Sequence, residues 1–183
     1  MAINAPYKLT VDDLDEFPDD GLRYELINGE LFMSPSPIPR HQKIVFRLTL
    51  LLGNHVVDRG LGEVFTAPID VRLSGSSQVV PDLIFVSEGR LDIIGGKRLE
   101  GAPELVIEVL SPSTQGNDLV KKRELYERYG VAEYWLVDPR RKTLTMLAAK
   151  GGRYVELPKS DHPRSTVLPD LEIDVPALMA DLD

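Results

Sequence analysis

Cysteine is absent from the 183-residue chain, which removes disulfides, thiolate metal sites and cysteine nucleophiles together and makes a reducing compartment the default. Chemistry must come from oxygen and nitrogen. No apolar run is long enough to span a bilayer, and the opening "MAINAPYKLTVDDLDEFPDD" lacks the charged-then-apolar pattern of a secretory signal. A cytoplasmic protein without a membrane partner is expected. Positive charge is also scarce: 21 Lys and Arg stand against 29 Asp and Glu, a formal net charge of -8. Proteins that hold nucleic acid by bulk electrostatics are usually basic, so a DNA-coating role is disfavoured. A local site where a divalent ion bridges carboxylates and a phosphate stays open, because the ion reverses the sign of the cluster. The chain also lacks a P-loop, a dinucleotide fingerprint and an HExxH pair. Ser111 and Ser113 in "SPST" read as turn and cap residues, since no Gly-x-Ser-x-Gly elbow surrounds them.

What is present, 43% hydrophobic and 27% charged residues, fits one globular domain over 1–183 with a core at about 23–139 and C-terminal strands at 140–183. Thr10, with Asp13 three residues on, is a capping-box variant that opens a short helix. Asn28 and Gly29 in "RYELINGELFM" mark a hairpin, because both tolerate positive φ. From His41, the spacing of Ile44, Val45, Leu48, Leu51, Leu52 and Val56 is helical, and Gly60 is a stop.

"GEVFTAPIDVRL" reads as one strand or a bent pair, "SGSSQ" as a turn, and "VVPDLIFV" as a strand that Pro81 places at an edge or begins. "ELVIEVL" is the next strand, and "NDLVKKRELYERYG" a helix capped by Asn117 or Asp118 and closed by Gly130. "AEYWLVD" is a core strand containing Tyr134 and Trp135, followed by strands or extended segments in "TLTMLAA", "RYVEL" and "TVLPDLEIDV". Helix, strands, helix, strand predicts an α/β fold with a mixed β-sheet flanked by helices.

Two of the apolar runs carry one carboxylate each, Asp82 in "VVPDLIFV" and Glu108 in "PELVIEVL". An isolated ionised acid costs several kcal/mol in such surroundings, so both need a partner. If the strands are neighbours, the carboxylates meet and repel unless a cation stands between them. Oxygen ligands favour magnesium, manganese or calcium. The competing reading pairs Glu108 with a lysine and leaves Asp82 in water at a strand mouth. On the following helix Lys122 stands four residues after Asp118, with Lys121 beside it. Either lysine can swing back over the acids or form an ordinary surface pair. By pattern alone Glu25 is a solvent-facing hairpin charge and His41 a polar first-turn residue.

Together, "RYELINGEL", "PDLIFV", "APELVIEVLSPST", "DLVKK" and "GVAEYWLVDP" resemble the Uma-type restriction endonucleases of bacteria, within the PD-(D/E)XK nuclease superfamily. The resemblance spans about Arg23 to Pro139. It implies a restriction-endonuclease-like core and a metal-dependent endonuclease acting on DNA. The superfamily's metal-binding aspartate falls on Asp82 and its strand glutamate on Glu108, with Glu25 as a third acid. The motif's lysine, two residues after the glutamate, is replaced here by Leu110. The resemblance instead implies a lysine from the helix, Lys122, with Lys121 the adjacent alternative. Mg²⁺, replaceable by Mn²⁺, is the implied cofactor, and a homodimer would place two sites on opposite DNA strands. Leu110 also leaves open a degenerate nuclease fold that binds or regulates without turnover.

Overall fold

The computed structural model describes residues 8–18, 20, 22–34, 36–111 and 117–182. Ser113 therefore lies outside the described residues, as does the side chain of Asp118. Thr10 precedes α1 (Val11–Leu14), and its amide and hydroxyl both donate to the Asp13 carboxylate at 2.7 Å. β1 (Arg23–Ile27) and β2 (Glu30–Ser34) form the expected hairpin, with Asn28 at φ 53° and Gly29 at φ 82°. α2 (Pro39–Arg59) has proline in its first turn and ends where Gly60 turns left-handed at φ 60°.

β3 (Gly62–Thr66) and β4 (Val71–Ser74) follow, then β5 (Ser77–Val79) and β6 (Leu83–Ser87). A 3₁₀ segment (Glu88–Ile93) leads to β7 (Leu99–Glu100) and β8 (Leu105–Val109). A π-helical turn (Asn117–Lys122) runs directly into α3 (Arg123–Tyr129), which Gly130 closes at φ 80°. β9 (Glu133–Asp138), β10 (Thr143–Lys150), β11 (Arg153–Glu156) and α4 (Val175–Leu178) complete the chain.

The strands make two mixed sheets where the sequence predicts one. The first runs β2-β1-β5-β4-β7 and the second β11-β10-β9-β8-β6-β3. "GEVFTAPIDVRL" is a bent pair whose halves join different sheets, and "VVPDLIFV" is likewise divided. Pro81 neither sits on an edge strand nor begins one: β6 is interior, and Val80 to Asp82 carry the chain between sheets. A proline has no amide to give to a ladder, so the crossover is where its missing donor is tolerated. The predicted turn at "SGSSQ" shortens to Gly75 and Ser76, because Ser77 and Gln78 are already in β5. "TVLPDLEIDV" is not the expected strand or extended segment: it bends and turns through residues 166–170, with Asp170 at φ 61°, Glu172 makes an isolated bridge to Arg164, and Val175 starts a helix.

Alternation along the strands gives the six-stranded sheet two apolar faces. On one, Leu83, Phe85, Leu105, Ile107 and Trp135 meet Ile44, Leu48 and Leu52 of α2 and the later Leu168, Leu171 and Ile173. On the other, Ile84, Val106 and Tyr134 meet Ile27, Val71 and Val79 of the five-stranded sheet and Leu125 and Tyr126 of α3. β8 and β9 run parallel, Leu105 beside Glu133 and Glu108 beside Leu136. Their C-terminal ends therefore open together, beside the start of α2.

Candidate active site

β6 pairs antiparallel with β8, with Leu83 opposite Ile107. Asp82, one residue earlier, thus arrives beside Glu108. A hydrogen bond fixes it there: the Val109 amide donates to Asp82 Oδ2 at 2.9 Å. The two acids that stand alone in sequence are neighbours at one end of the sheet. Glu25 reaches the same region from β1. Its strand partner is Phe32, and its carboxylate accepts the Val80 amide at 2.7 Å, just before the crossover.

All three acids are buried, 3–4% exposed, and so is Lys122 at 4%. Lys122 Nζ lies 2.9 Å from both Glu25 Oε1 and Glu108 Oε1. One turn further along the helix, the Tyr126 hydroxyl donates to Glu108 Oε1 at 2.8 Å. Burial, followed by the charge of Glu108, raises the Tyr126 pKa well above the ordinary phenol value, so it stays a donor. Lys121 points elsewhere: it pairs with Glu30 at 2.7 Å on the surface and stands 4.4 Å over the Phe32 ring.

Asp82 has different partners. His41 Nε2 is 3.0 Å from its Oδ2, and Arg23 is 3.4 Å from its Oδ1. Burial pushes the Asp82 pKa up, but the His41 hydrogen bond and charge, the Val109 amide and Lys122 outweigh it and hold the carboxyl below its usual range. An ionised Asp82 accepts, so Nε2 is the protonated nitrogen of His41. Its Nδ1 is buried without a hydrogen-bond partner among the described residues.

The structure thus brings Glu25, Asp82, Glu108 and Lys122 into one site and leaves Lys121 outside it. Glu25 is not the solvent-facing charge that the Asn-Gly pattern suggests, because its strand is covered on that face. Sequence reasoning missed His41, Arg23 and Tyr126. His41 had a signal: it stands three residues before Ile44 and seven before Leu48, on the face that α2 buries. Tyr126 had one too, since it follows Lys122 by four residues on the same helical face. Nothing in the sequence marked Arg23.

The donor set suits a hard divalent cation, being carboxylate oxygen, and magnesium takes only one or two carboxylates with water completing its shell. Asp82 and Glu108 meet that need. Among the described residues no three His, Asp or Glu side chains form a metal cage, and Glu25 is tied to Glu108 through Lys122.

A family model described as Uma2, putative restriction endonuclease, matches residues 11–176. The crystal structure of a putative nuclease belonging to DUF820 from Anabaena variabilis superposes with a TM-score of 0.79 at 20% identity, covering 95% of this chain and 99% of that one. At that identity the likeness establishes the fold. No curated protein matches the chain. No helix among the described residues is long and apolar enough to cross a membrane.

Proposed function

The chain belongs to the Uma2 family, described as putative restriction endonuclease, and from that premise we propose that it is a metal-dependent endonuclease hydrolysing DNA phosphodiester bonds. One observation carries the reading: Asp82, just before β6, and Glu108, on the antiparallel β8, are locked side by side through the Val109 amide, and a buried lysine faces Glu108. Asp82 and Glu108 would hold Mg²⁺, with Mn²⁺ able to replace it, and Glu25 adds a ligand or acts through Lys122. When bound, the ion supplies a water of lowered pKa and offsets charge on the phosphate oxygens. Lys122 orients that water or faces the phosphate with a charge held in a low-dielectric site. His41 and the Val109 amide keep Asp82 ionised and fixed in direction.

A second reading is favoured by Leu110, a buried apolar side chain at the place of the motif's lysine. There the fold binds or regulates without turnover. Calorimetric titration of Mn²⁺ into the wild type and Asp82→Ala, beside plasmid incubations, separates the readings. The nuclease requires wild-type binding that Asp82→Ala loses, together with a cut plasmid. Binding without cutting selects the second reading, and absence of binding removes the metal site. Lys122→Met should lower turnover while sparing Mn²⁺ affinity. The net charge of -8 also predicts a shallow salt dependence of DNA binding, since few phosphates are neutralised away from the site. For double-strand cleavage we place a second copy at the edge strand β11, which ends the six-stranded sheet.

A further inference from the structure

A cavity of about 400 Å³ opens beside the acids, walled by Ile38, Leu110, Pro139 and Leu182, with Arg40, His41 and Arg140 as its polar lining. Among the described residues no carboxylate lines it. Arg40 Nε donates to the Leu182 carbonyl at 2.9 Å, which ties that wall to α2. Apolar sides with two guanidiniums describe a ligand that is flat and apolar in its body and anionic at one end. The volume suits one small ligand of nucleotide size, in the usual range of about 300–1,000 Å³ for such pockets.

The cavity shares two residues with the site. His41 forms part of its lining and holds Asp82 through Nε2, while its Nδ1 is a buried polar atom without a partner among the described residues. Leu110 stands two residues beyond Glu108 and gives the cavity an apolar wall. Building on the nuclease reading, we propose that this cavity takes one unstacked nucleotide next to the scissile phosphate, and that the substrate is single-stranded or locally unpaired DNA. A base inside a duplex cannot enter a side pocket without leaving its stack, which costs a few kcal/mol and least where the base is already unpaired. Guanidinium planes stack on bases of any sequence. Such a pocket also suits an acidic protein, because it binds through one base rather than many phosphates.

The test measures fluorescence anisotropy of a labelled oligonucleotide, as single strand and as duplex, in chelator so that nothing is cut. Wild type should bind the single strand about tenfold more tightly than the duplex, one stacked base's worth. Arg140→Ala, a change at an exposed turn residue, should remove most of that preference, and Leu110→Trp, which fills the cavity, should do the same. A nucleoside monophosphate should displace the strand at concentrations where inorganic phosphate does not. Equal affinity for both forms, or equal displacement by phosphate, overturns the proposal. If plasmid is nevertheless cut, the nuclease reading stands without it. If neither DNA form nor Mn²⁺ binds, both fall.

Discussion

The parallel pair β8–β9 has a buried glutamate at each end, and the two are satisfied in opposite ways. Glu133, at the start of β9, is fully buried and, among the described residues, accepts from neutral donors: Trp135 Nε1 at 2.5 Å, the Ser165 hydroxyl at 3.3 Å, the Thr166 amide at 2.7 Å and hydroxyl at 2.6 Å, and the Val167 amide at 3.2 Å. Those bonds pin the segment after Ser165 to the sheet. Glu108, near the end of β8, is held by the Lys122 ammonium, which it shares with Glu25. Backbone amides offer one geometry and cannot leave. An ammonium on a flexible stem can be displaced by a competing cation or turned toward a phosphate. Burial alone therefore does not separate the two acids; the identity of their donors does.

The comparison breaks most sharply at Lys122. Lys122→Met strips the shared cation from two buried carboxylates and should cost about 3–5 kcal/mol in chemical denaturation. Millimolar Mn²⁺ should then recover part of the loss, because an ion that binds only the folded state stabilises it. A cost near zero would show that the ammonium is not what neutralises the pair. Glu133→Ala is the counterpart. It leaves several donors unpaired and should cost about 3 kcal/mol, with no recovery in Mn²⁺. Recovery there would dissolve the distinction between the two ends.

That distinction also marks how far the sequence is legible. The hairpin at Asn28-Gly29, the span of α2 and the Gly130 stop are local events, set by positive φ and apolar spacing, and they appear as expected. The division of "VVPDLIFV" between two sheets does not, because Pro81 announces a break in pairing but not which sheet follows. Asp82, Glu108 and Glu25 were found through apolar runs and family likeness. "AEYWLVD" carries Glu133 just as plainly, and no sequence pattern says that its donors come from residues 165–167 while those of Glu108 come from a lysine. Donor identity is a property of the fold.

Tyr126→Phe sharpens the functional end at lower cost. It removes a hydrogen bond to a carboxylate and should lose about 2 kcal/mol at neutral pH. The pH dependence carries the sign. The folded-state pKa of Tyr126 is raised, first by burial and then by Glu108, so its contribution is full below the unfolded value of about 10. It is lost as pH rises from there toward the folded value, because the unfolded chain ionises first. Wild type should lose stability over that alkaline window, and Tyr126→Phe should lose less. Parallel alkaline limbs would place the proton elsewhere.

Lys121 supplies the smallest effect and the closest control, being one residue from Lys122. Its partner Glu30 is more than half exposed and Lys121 itself 41% exposed. The Lys121 hydrogen bond and charge lower the Glu30 pKa, but water already solvates both groups, so the pair adds little to folding. Lys121→Ala should cost about 0.5 kcal/mol or less, the worth of an exposed pair and a surface cation–π contact, and added salt should shrink the difference further. Plasmid cleavage should stay at the wild-type rate, where Lys122→Met lowers it. If Lys121→Ala instead matched Lys122→Met in lost turnover, the working ammonium would be the surface one. The buried ion pair of Glu25, Glu108 and Lys122 would then be a structural device like Glu133, built from charge where Glu133 uses amides.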